Sequence, residues 1–125
     1  MNGIRIKDMH PRGVLSFDLK DLLELVKHEI NDSMWLCEYV EATATSSPNV
    51  EELANNNELV SSCRLVCAAK NTHQVIDGVF RAVSDNIEWL RIEAIDSSYW
   101  EVYSLNGDVL SQIGKAFRDV EAIKS

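Results

Sequence analysis

Apolar positions recur along this chain at two periods. Over 18–30, Leu19, Leu22, Leu23, Val26 and Ile30 stand three and four apart, which predicts a helix with one apolar stripe. Asp18 supplies an N-cap, and Phe17 with Leu22 fits a hydrophobic staple across it. A second helix is read over 58–70, with Leu59, Val60, Cys63, Val66 and Cys67 on one face, Asn57 as cap and Lys70 near the negative end. A third is read over 108–118. It follows the Asn106-Gly107 turn, carries Val109, Leu110, Ile113 and Phe117 as its stripe, and has Lys115 and Arg118 near its end.

Between these lie segments of period two. Over 34–43, Trp35, Cys37 and Tyr39 alternate with Leu36, Glu38 and Val40, a strand pattern. The run 74–83 fits both periods through Val75, Ile76, Val79, Phe80 and Val83. Its branched residues and central Gly78 favour a strand, paired as a hairpin with 87–95. In 87–95, Leu90, Ile92 and Ala94 oppose Trp89, Arg91 and Glu93. After Asp96-Ser97-Ser98, a further strand runs over 99–105. The N-terminal Ile4 and Ile6 alternate with Arg5 and Lys7 in a short, weak strand pattern, and His10-Pro11-Arg12-Gly13 reads as a turn. Residues 43–57 read as a polar loop with a short helix after Pro48, and 119–125 as a tail. The expectation is one α+β domain over 1–125: a mostly antiparallel sheet of about four strands (34–43, 74–83, 87–95, 99–105), with helices (18–30, 58–70, 108–118) packed mainly on one face.

Composition agrees with such a domain. The 125 residues are 46% apolar and 26% charged, enough for an independent core. No apolar run approaches the roughly 20 residues of a membrane span, and the start lacks a signal-peptide pattern, so a cytoplasmic protein is expected. Charge narrows the partners. Twelve Lys and Arg against 20 Asp and Glu leave −8. Direct nucleic-acid binding needs clustered cations to replace phosphate counterions, and none cluster here; anionic lipid is disfavoured for the same reason. Three cysteines, an odd number, argue against a disulfide framework. Cys63 and Cys67 share a helix face. Without a second closely spaced pair they read as small core residues rather than as a metal site completed by His73 or Cys37.

No phosphate-cradling glycine loop or nucleophile elbow occurs, so no cofactor is implied. His28 follows Glu24 by four residues and reads as an ordinary exposed pair. Two constellations remain. Glu93, Asp96 and Glu101 form a carboxylate row: with a three-residue loop centred on Ser97, Glu93 faces Glu101, as an acid/base dyad or ligand site requires, whereas a two-residue loop puts them on opposite faces, and spacing does not choose between the registers. Trp89, Arg91 and Trp100 supply the aromatic and cationic groups that anchor protein interfaces. The preferred expectation is a non-enzymatic module, monomer or homodimer, that binds a protein partner with a basic surface. An inhibitor of the immunity type, neutralising a toxic nuclease, shares this size and charge. The alternative is a small enzyme or ligand-binding domain built on the carboxylate row.

Overall fold

In the computed structural model, which describes residues 1–9, 13 and 15–124, the elements run β1 (Asn2–Ile6), α1 (Leu19–Leu25), β2 (Met34–Ala44), α2 (Val50–Asn56), β3 (Val60–Ser61), α3 (Ser62–Lys70), β4 (Thr72–Ser84), β5 (Ile87–Ile95), β6 (Tyr99–Ser104), α4 (Gly107–Gly114) and β7 (Val120–Lys124). The strands form one antiparallel sheet in the order β3-β2-β4-β5-β6-β1-β7. The α+β class holds, but the expected sheet of about four strands is corrected to seven. The turn read at His10–Gly13 falls mostly outside the described residues.

The three added strands are short or lie at the ends of the chain. β1 enters between β6 and β7, and its partners are about 100 residues away in sequence. Residues 120–124, read as part of a tail, become an edge strand because β1 offers them a free ladder. The Asp8 carboxylate holds the approach by accepting from the N–H groups of Arg118 and Asp119. β3 is two residues long and falls within the helix expected over 58–70.

Helix boundaries shift as well. α1 stops at Leu25, where Val26 leaves helical geometry (φ −117°), although Val26 and Ile30 stay buried through the turns that follow. α3 starts at Ser62 and buries Ser62, Leu65, Ala68 and Ala69, so the expected stripe is rotated and Cys63 and Cys67 face solvent. Small Ser and Ala side chains on the inner face let a helix sit close on its neighbours. α4 ends at Gly114, short of the expected 118.

All four helices contribute to a single core. Leu19, Leu22 and Leu23 of α1, Leu53 of α2, Leu65 of α3 and Ile113 of α4 meet Trp35, Phe80, Leu90, Ile92, Trp100 and Val102 of the sheet. The buried Trp35 indole N–H donates to Ser62 Oγ at 2.8 Å, which satisfies its one polar group. The strand residues that alternate with this set lie on the opposite face, which charged and aromatic side chains occupy instead.

Tight turns set the registers. Asp85 and Asn86 both take positive φ (53° and 63°) between the paired Ser84 and Ile87, the backbone of a two-residue hairpin. Asp96-Ser97-Ser98 forms a three-residue loop between the paired Ile95 and Tyr99, with Asp96 and Ser97 at φ 49° and 56°. No helix of the described residues is long and apolar enough to cross a membrane.

Candidate functional site: the uncovered face of the sheet

Pairing across six strands places Glu38, Val79, Glu93, Glu101, Arg5 and Glu121 in one row on the face away from the helices. Four carboxylates thus share a row with a single cation. The next row is Leu36, Arg81, Arg91, Tyr103, Gly3 and Ile123. Alternation along each strand makes both rows; only the register across strands makes them adjacent.

Glu93 faces Glu101 directly, and their environments differ. Glu101 is almost buried and fully engaged. Arg5 donates from Nε (2.8 Å) and Nη2 (2.6 Å) to its Oε2, while the Tyr103 hydroxyl donates to its Oε1 at 2.7 Å. The Arg5 guanidinium also reaches Glu121 at 3.0 Å and lies 4.8 Å from the Tyr99 ring centroid. Its pKa rises, chiefly because of the hydrogen bonds to Glu101. Tyr103 is pushed up to about 12, first by burial and then by the Glu101 hydrogen bond and charge, since a phenolate would stand against a carboxylate. The Tyr103 ring leaves no room beneath it: a Cβ on Gly3 would lie 2.5 Å from its Cδ1.

Glu93 is less committed. Its side chain is 25% exposed, and its nearest cation is Arg91 Nε at 3.8 Å, beyond hydrogen-bonding distance. Arg91 lies 4.5 Å from the Tyr103 ring centroid, and its buried Nε–H has no acceptor among the described residues. Arg81 bridges Glu38 (2.6 Å) and Glu88 (3.0 Å), and its pKa is raised first by the Glu38 hydrogen bond. Asp96 stands apart in the loop, where its N–H donates to Asp77 Oδ1 at 2.8 Å. The structure therefore brings Glu93 and Glu101 together and leaves Asp96 with Asp77.

The tryptophans have structural places. Trp100 has no exposed area and belongs to the core. At a bulge, Glu88 and Trp89 together oppose Val83. Trp89 packs against the core there, and its indole N–H donates to Ser33 Oγ at 2.9 Å. Of that constellation only Arg91 remains on the uncovered face.

A second bulge lies on β2. Between the pairs Glu38–Val79 and Glu41–Asp77, Tyr39 and Val40 together oppose Gly78. The extra residue returns Val40 to the core side, where Gly78 makes room: a Cβ there would sit 3.3 Å from Val40 Cγ2. Tyr39 takes φ 54° and is 79% exposed. Plain alternation had placed it beside Trp35 and Cys37.

Sequence reading also missed Arg5, Tyr103 and Glu121. Their only local signal was alternation with Ile4, Val102 and Val120. Among the described residues, no three His, Cys, Asp or Glu side chains are grouped so as to hold a metal ion. Two surface cavities lie elsewhere: one of about 340 Å³ beside Phe17, Asp18 and His73, and one of about 260 Å³ beside Lys27, Ile30 and Cys63. No protein-family model, curated protein or solved structure matches this chain.

Proposed function

We propose that this protein is a non-enzymatic binding module that docks a protein with a basic surface on the uncovered face of its sheet, as a small inhibitor does. The observation that carries this reading is the acid row, four carboxylates to one arginine, on the face no helix covers. The net charge of −8 supports it, because a field of one sign speeds encounter with an oppositely charged partner. The Glu93 carboxylate faces another carboxylate and, among the described residues, accepts no hydrogen bond, its nearest cation being Arg91 at 3.8 Å, so a cation from outside would complement it. The acid/base alternative is weaker, since Glu101 is tied to Arg5 and Tyr103 and has no free oxygen with which to move protons.

The test is affinity capture with the tagged protein from its native lysate at low and moderate salt, followed by titration of the purified partner. A stoichiometric basic protein whose affinity falls with salt, and falls further for Glu93→Gln, supports the reading. Capture of nothing beyond the chain itself removes it, and so does a partner indifferent to both salt and Glu93.

A further inference from the structure

Tyr39 is the residue whose placement the fold explains least. A non-glycine residue at φ 54° is disfavoured, Asn and Gly tolerate it best, and a bulky aromatic is an uncommon occupant. The ring returns nothing to the fold: at 79% exposure it has no hydrogen bond or ring contact among the described residues. The bulge itself does not depend on it, since Val40 and Gly78 do the packing there. Exposed tyrosines of this kind carry a large share of binding energy in interfaces.

The surroundings specify the partner. Tyr39 follows Glu38, the β2 end of the acid row, and precedes by two residues Glu41, which pairs with Asp77. Asp96 joins the same end through its N–H bond to Asp77. Among the described residues Glu41, Asp77 and Asp96 form no ion pair, whereas Glu38 is held by Arg81. An exposed aromatic ring two residues from Glu41, whose strand partner Asp77 keeps one carboxylate oxygen clear of the Asp96 N–H bond, suits a guanidinium, which stacks on a ring and bonds an acid in a fork.

We infer that Tyr39 is the anchor of the docking surface and receives an arginine-bearing segment of the basic partner, with Glu41 and Asp77 binding its cation. This rests on the binding function proposed above. The test compares wild type, Tyr39→Asn and Tyr39→Trp by titration with the purified partner, with thermal melts of each chain and sedimentation of the free protein. The expected result is at least tenfold weaker binding for Tyr39→Asn with a Tm no lower than wild type, and binding retained by Tyr39→Trp. Unchanged affinity of Tyr39→Asn for a salt-sensitive basic partner overturns the anchor and leaves the binding function standing. Self-association of the free chain that Tyr39→Asn abolishes assigns the ring to a second copy and overturns it too. Absence of any basic partner for wild type removes both.

Discussion

At the scale of single residues, burial decides chemistry that composition leaves open. Of three cysteines, Cys37 is buried and its thiol pushed up to about 12 by burial, while Cys63 and Cys67 are exposed. Iodoacetamide at neutral pH is therefore expected to modify two thiols in the native protein and three after unfolding; rapid loss of all three native thiols contradicts this packing. Tyr103 offers a pH test. Its folded value, about 12, exceeds the ordinary 10, so its stabilisation is complete below pH 10 and is lost as pH rises through about 12. The difference between the alkaline absorbance titrations of wild type and Tyr103→Phe should show one phenol with a midpoint near 12. The same substitution removes a hydrogen bond to a nearly buried carboxylate and should cost about 1.5–3 kcal/mol in denaturant melts at pH 7.

Pairing between elements depends on contacts no single residue reveals. β1 lies against β6 with Gly3 under the Tyr103 ring, and that ring is held by Glu101 on one side and Arg91 on the other. Gly3→Ala inserts a methyl where 2.5 Å is available and should destabilise by about 1–3 kcal/mol in chemical denaturation. A neutral result means that the ring moves freely. The β4–β5 turn works in the other direction. Asp85-Asn86 already adopts the two positive φ angles of a tight hairpin, for which Asp-Gly is one of the favoured pairs. Asn86→Gly should raise the Tm slightly, by an amount corresponding to under about 1 kcal/mol; a fall in Tm argues against this turn geometry.

For the whole molecule, a sheet covered on one face gathers its charge on the other. Arg5 and Arg81 hold Glu101, Glu121, Glu38 and Glu88 on the outer face, Arg91 comes no closer than 3.8 Å to Glu93, and the end near Glu41, Asp77 and Asp96 is left acidic. These ion pairs are partly buried and so little screened by salt, which should change the melting temperature weakly, whereas the proposed partner binding through the acidic end should weaken strongly. Comparing melts and titrations across an ionic-strength series checks this. Parallel losses in both would mean that the outer network holds the fold together rather than serving recognition.

Periodicity along the chain was enough to show the buried stripe from Leu19 to Ile30, although the helix itself ends at Leu25, and the alternation of 90–95, because such patterns depend only on neighbours along the chain. It could not show that 2–6 and 120–124 pair with each other, since alternation over a few residues says nothing of which strand lies alongside. The rotation of α3 followed from a strand boundary, and the return of Trp89 to the core and the exclusion of Tyr39 from two bulges, where one extra residue breaks the alternation locally. The acid row likewise exists only in the tertiary structure: its six residues come from six strands, and register, not spacing in the chain, sets them side by side.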